Sequence, residues 1–95
     1  MIGKNEFSIV IPTHNRPKYL FRILSYYNNH NVECKIFVAD SSGEEFKKLN
    51  RRIITSFMNL NIVHLDHYSS NNTIFHKLLD TFSHIDTEYT ITCAD

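Results

Sequence analysis

Phe7-Ser-Ile-Val-Ile-Pro-Thr-His-Asn-Arg-Pro17 is the stretch on which the fold turns. Phe7, Ile9 and Ile11 fall on one face of an extended segment and Val10 on the other, and apolar groups on both faces mark a strand inside a sheet. Pro12 is expected to end that strand. Pro17 is expected to open a helix, where its fixed φ and missing N–H cost nothing. Leu20, Ile23, Leu24 and Tyr27 follow as one apolar stripe at helical period, and the polar run Asn28-Asn-His-Asn31 closes it.

The same alternation continues outward. Cys34-Lys-Ile-Phe-Val-Ala39 reads as a second strand finishing at Asp40, and Ser41, Ser42 and Gly43 as a turn. Ser42 and Glu45 have the spacing of a capping box for a second helix whose inner face is expected to carry Phe46, Leu49, Ile53 and Phe57. Asn61 to Leu65 is a third strand. The polar loop Asp66–Asn72 leads to a third helix, with Ile74, Leu78, Leu79 and Phe82 expected inward, and Tyr89–Ala94 is a fourth strand. Strands alternating with helices imply right-handed βαβ crossovers. The fold class is therefore α/β, a Rossmann-like and mostly parallel sheet. No repeat, low-complexity tract or linker divides the chain.

Length and composition narrow the function. The chain has 95 residues, and a chain of this size buries about 60–65% of its unfolded surface, so its core is limited. Its formal net charge is zero, which removes the electrostatic argument for nucleic acid or an anionic membrane. Lys47, Lys48, Arg51 and Arg52 cluster and read as a solvated helix face. Cys34 and Cys93 form no Cys-x-x-Cys pair and no disulfide framework, so buried free thiols in a reducing compartment are expected. No long apolar run follows Met1–Glu6 and none spans a membrane; the expected location is cytoplasmic.

Ligands of such sheets bind at the carboxyl ends of the strands, and three polar loops fall there. Thr13-His-Asn-Arg16 brings a hydroxyl, an amide and a guanidinium to a helix N-terminus, suited to a diphosphate or a base edge; plain helix capping by Thr13 or Asn15 is the alternative. Asp40 sits where an acidic residue meets a ribose or base in nucleotide-binding units, or where it closes an Asx-turn onto Ser42. Asp95 ends the fourth strand, a position for a hard cation such as Mg²⁺. His64 and His67 point to opposite faces of an extended segment, which argues against a zinc site. With only Gly3 and Gly43 in the chain, a dinucleotide-binding glycine motif and a Walker loop are both excluded.

What remains resembles the family 2 type of glycosyltransferase with the A-type nucleotide-diphosphosugar fold. Three blocks carry the resemblance: Ser8-Ile-Val-Ile-Pro-Thr-His-Asn-Arg-Pro17 with Tyr19-Leu20, Ile36-Phe-Val-Ala-Asp-Ser-Ser42, and Glu88-Tyr-Thr-Ile-Thr-Cys-Ala-Asp95. Their order and spacing match across essentially the whole chain, in wording similar to a bacterial subgroup. The resemblance implies that Thr13, Asn15 and Arg16 line the nucleotide pocket, with Asp40 beside them. Ser41 stands where the family often has an aspartate on the uracil. Lys77 stands where it often has a basic residue near the nucleotide, although an exposed helix lysine reads the same way. Asp95 corresponds to the first aspartate of the metal motif.

That resemblance implies an inverting transfer of sugar from a nucleotide-diphosphate sugar, UDP-linked by expectation, to an acceptor hydroxyl of a glycan, lipid or protein. Mg²⁺ or Mn²⁺ would neutralise the leaving diphosphate, and a carboxylate beyond Asp95 would serve as base. Residues 1–95 then read as the N-terminal nucleotide-sugar-binding part of a transferase domain, incomplete and inactive alone, and marginally stable when cut there. The alternatives are a non-catalytic nucleotide-sugar-binding module and a protein-interaction module of α/β fold.

Overall fold

The structure, a computed structural model, describes residues 7–69, 74–85 and 89–92. Four strands, β1 (Phe7–Thr13), β2 (Lys35–Asp40), β3 (Ile62–Leu65) and β4 (Tyr89–Thr92), alternate with three helices. These are α1 (Pro17–Asn29), α2 (Glu44–Ser56) and α3 (Ile74–Phe82). The strands form one sheet in the order β3-β2-β1-β4, and each adjacent pair is parallel. The α/β class and the inner position of β1 are as the sequence implies.

Sheet order decides which helix covers which face. The β1→β2 and β2→β3 connections step in one direction, and β3→β4 steps back past both. Right-handed crossovers therefore lay α1 and α2 on one face and α3 on the other. Accordingly α1 packs against α2, while α3 packs across β1 and β2. The reversal falls between β1 and β4, the topological switch point beside which open α/β sheets bind their ligands.

Strand parity sorts the core. Ile9, Ile11, Ile36 and Val38 meet Leu20 and Leu24 in one buried cluster, with Cys34 and Leu60 at its margin. Val10, Phe37 and Ala39 alternate to the α3 face and are buried there. Ile23 and Tyr27 pack partly against the first cluster, completing the expected stripe of α1.

Four local expectations are corrected. Pro12 does not end β1, which runs on to Thr13 with Pro12 paired to Ala39. Thr13 O points to β2 and accepts from Ser41 N. The residue before it therefore turns its nitrogen to the opposite side, beyond Val10, the last residue paired to β4 among those described. The capping box does not form. Gly43 is the N-cap of α2 with no side-chain cap bond, because Ser42 is drawn into contacts with Asn15 of the loop after β1 and with Asn50 instead.

The inner faces of α2 and α3 are the other two corrections, each in part, since Ile53 and Phe57 do pack partly against the core as expected. Leu49 is 43% exposed, whereas Lys47 and Asn50 are buried; α2 is rotated so that its polar groups meet partners at the strand ends. Likewise Leu79 is 52% exposed and Phe82 is exposed, while Lys77 and Thr81 are buried. Hydrogen bonding of buried polar groups, alongside apolar packing by Ile53 and Ile54, orients α2, and buried Lys77 and Thr81 do the same for α3. Of the basic cluster on α2, Lys48, Arg51 and Arg52 are solvated as expected and Lys47 is not.

Candidate functional site

The described polar residues gather at the carboxyl ends of β1, β2 and β3. Asn15, between β1 and α1, has φ 54°, a left-handed conformation that asparagine tolerates better than most residues. Two bonds hold it there. Its backbone N–H donates to Ser42 Oγ at 2.8 Å, and its Oδ1 accepts from Gly43 N at 2.8 Å. His14 adds a third link, since its Nδ1 lies 3.0 Å from Ser41 O. A carbonyl only accepts, so that nitrogen carries the hydrogen. The Thr13–Arg16 loop is thus tied to the Ser41–Gly43 turn.

Arg16 is the N-cap residue of α1, with no side-chain cap bond and Pro17 at the first helical position. Neither Thr13 nor Asn15 caps the helix by its side chain. Arg16 is exposed, and its guanidinium lies 4.0 Å from the centre of the Tyr19 ring, a cation–π stack at the start of α1. Thr13 is buried.

Asp40 is fully buried at the end of β2. It does close an Asx-turn: Ser42 N donates to Oδ1 at 2.9 Å. Oδ2 accepts from His64 Nε2 at 2.8 Å and Asn50 Nδ2 at 3.0 Å. Burial pushes this carboxyl upward, but the bonds from His64, Ser42 and Asn50 outweigh burial and hold it far below the usual carboxylate range. Asn50 Oδ1 has no hydrogen-bond partner among the described residues.

From the opposite face, Lys77 of α3 reaches the same strand ends. Its Nζ donates to Ser41 Oγ at 2.9 Å and approaches Thr13 O at 3.4 Å, and the residue is only 5% exposed. The exposed-lysine alternative is therefore overturned: a buried ammonium needs polar partners, and two strand ends supply them. The structure brings Thr13, Asn15, Arg16, Asp40, Ser41 and Lys77 to one rim of the sheet. Asp95 and Cys93 lie outside the described residues.

A second cluster braces the loop after β3. Tyr68 is buried, its hydroxyl donating to Asp80 Oδ2 and meeting Thr81 Oγ1 at 3.2 Å, while Lys47 Nζ donates to Tyr68 O at 2.6 Å. Burial first, then the neighbouring Asp80, pushes the Tyr68 phenol up to about 12. His67 Nε2 also meets Asp80, at 3.0 Å. His64 and His67 thus serve carboxylates on different elements, as their opposite directions imply. No group of three metal-ligating side chains occurs among the described residues. An open depression of about 640 Å³ is lined by Lys48, Arg51, Arg52, Thr55 and Ser56, none of them a residue of the rim described above.

The His64–Asp40 pair, Asn50 and Lys47 were not singled out from the sequence as site residues. Parity carried a signal for the first: Val38 pairs with His64, so His64 and Asp40 lie two positions apart on one face of neighbouring strands. Asn50 and Lys47 left none, since a polar residue on an amphipathic helix reads as solvated.

Compared with protein-family models, with curated proteins and with solved structures, the chain matches none. No helix among the described residues is long and apolar enough to cross a membrane.

Proposed function

We propose that this chain binds the nucleotide-diphosphate part of a nucleotide sugar at the rim formed by Thr13, Asn15, Arg16, Asp40, Ser41 and Lys77. On this reading it is the nucleotide-binding part of an inverting glycosyltransferase. The observation that carries the proposal is the meeting of the Asn15–Arg16 segment, the Ser41–Gly43 turn and the Lys77 ammonium at the carboxyl ends of β1 and β2. A rim fixed in advance by short hydrogen bonds loses little entropy on binding. A cation held at low exposure, together with the Arg16 guanidinium, suits the negative charge of a diphosphate.

In the transfer, an acceptor hydroxyl oxygen attacks the anomeric carbon and the bond to the diphosphate oxygen breaks. The nucleoside diphosphate leaves with the electron pair, and the hydroxyl proton passes to a base. Lys77 and Arg16 would stabilise the charge that develops on the leaving diphosphate. No described residue is proposed as the base. A divalent cation, Mg²⁺ or Mn²⁺, enters the proposal through Asp95 alone. The one carboxylate of the described rim, Asp40, is engaged by three donors.

Titration with UDP, with and without Mn²⁺, followed on backbone amide NMR, tests the binding step. Saturable shifts centred on Asn15, Arg16, Ser41 and Gly43 are expected. No shift at millimolar UDP would sink the nucleotide reading and leave a protein-interaction module in its place.

A further inference from the structure

Three neighbouring strands end in one continuous hydrogen-bonded chain. It starts on β3, where His64 Nε2 lies 2.8 Å from Asp40 Oδ2. A carboxylate only accepts, so Nε2 is the protonated nitrogen. It passes through Asp40 Oδ1 to the Ser42 amide at 2.9 Å. From Ser42 Oγ it crosses to the Asn15 amide on the β1 side at 2.8 Å, and Asn15 Oδ1 returns to the Gly43 amide. Asn50 of α2 braces the middle, donating to Asp40 Oδ2 and approaching Ser42 Oγ at 3.4 Å.

Each link is set from a different element, so the geometry of the Asn15–Arg16 segment is decided two strands away. Asp40 is buried and the His64 side chain is only 11% exposed; the carboxylate acts inward, on the turn. Asn15 is held at φ 54°, a conformation that persists only where its surroundings over-determine it.

We propose that His64 is a positioning residue of the nucleotide crevice: by anchoring Asp40 from β3, it holds the Ser41–Gly43 turn and, through Ser42, the left-handed Asn15 in ligand-receiving geometry. The proposal rests on the nucleotide reading for its functional consequence, and on the hydrogen-bonded chain alone for its structural one. A histidine serving only to fill space at this position would be replaceable by any side chain of similar volume.

The test compares the unaltered chain with His64→Ala and His64→Gln, titrating each with UDP and reading amide hydrogen exchange at Ser42 and Asn15. Losing a hydrogen bond to a buried charge is expected to weaken UDP binding about tenfold in His64→Ala, with faster exchange at both amides. His64→Gln, whose amide nitrogen donates at similar reach, is expected to restore both. Where His64→Ala does not fold, His64→Leu removes the donor while keeping the volume, and must show the same loss. Wild-type affinity with wild-type exchange in His64→Ala or His64→Leu overturns the proposal, and so does an equal loss in His64→Ala and His64→Gln. If the unaltered chain does not bind UDP, the nucleotide reading fails by itself. The positioning role is then decided by the Ser42 and Asn15 amides.

Discussion

The Lys77 ammonium on α3 lies 2.9 Å from the Ser41 hydroxyl at the end of β2, across 36 positions of chain and from the opposite face of the sheet to α2. A second donor–acceptor approach, to Thr13 O, draws β1 into the same contact. One cation therefore bridges the ends of two parallel strands next to the switch point of the sheet.

Replacing that cation separates its two roles. Lys77→Met keeps most of the buried volume and removes the charge with its bonds. Unfolding in urea is expected to show a loss of about 1–3 kcal/mol, the cost of leaving buried acceptors unpaired. UDP affinity is expected to fall at least tenfold, a larger effect than in any variant of the exposed Lys48. Equal UDP affinity in Lys77→Met and the unaltered chain would remove Lys77 from the proposed site.

The sign of the Asp40 effect gives a prediction in pH. Its carboxyl is lowered from an ordinary 3.8, with burial opposed and outweighed by the bonds from His64, Ser42 and Asn50. In the unfolded chain it takes up a proton near pH 3.8, and in the folded chain only at much lower pH. The stability it contributes is present in full above that value and drains away as pH falls below it. Thermal melts between pH 5 and pH 2 are expected to fall more steeply for the unaltered chain than for Asp40→Asn. Parallel slopes would show that Asp40 is not the group concerned.

How much of this was legible beforehand follows from what periodicity can see. The order of elements, the inner placement of β1 and the stripe of α1 all came from apolar residues whose spacing declares their face, as with Leu20 and Leu24. The errors on the helices share one cause. On α2 and α3 a buried Asn50, Lys47, Lys77 and Thr81 displaced Leu49, Leu79 and Phe82 from the inner faces. A polar residue is buried only where partners wait, and those partners are 10 residues away for Asn50 and 36 for Lys77. Local spacing does not contain them. The same holds for Ser42, whose hydroxyl was assigned to its own helix and is used by Asn15 across 27 residues instead.

Tyr68 offers a spectroscopic prediction at the other extreme of pH. Its phenol is pushed up to about 12, by burial and by Asp80. The Tyr68 phenol is therefore expected to ionise well above the ordinary tyrosine value of 10 in an alkaline titration read in the ultraviolet. Because the folded state keeps the proton that the unfolded state releases near pH 10, stability is expected to fall as pH rises from 10 toward 12. Tyr68→Phe removes that late ionisation and costs about 1 kcal/mol near neutral pH through the lost hydroxyl bonds. If Tyr68→Phe instead loses an ionisation near pH 10 and the late one stays, Tyr68 lies in solvent.

Asn15 separates strain from hydrogen bonding. Both Asn15→Gly and Asn15→Ala lose the side-chain acceptor for the Gly43 amide, which lies 2.8 Å from Oδ1. Only alanine must also hold a Cβ at φ 54°, and that conformation costs an ordinary residue about 1–2 kcal/mol. Alanine is therefore expected to be the less stable of the two by about 1 kcal/mol in urea unfolding, despite its stiffer unfolded chain. Both variants are expected to weaken UDP, since the turn of β2 loses its hold on the loop of β1. If Asn15→Ala equals or exceeds Asn15→Gly in stability, the segment relaxes out of its left-handed conformation, and the preorganisation assigned to this rim goes with it.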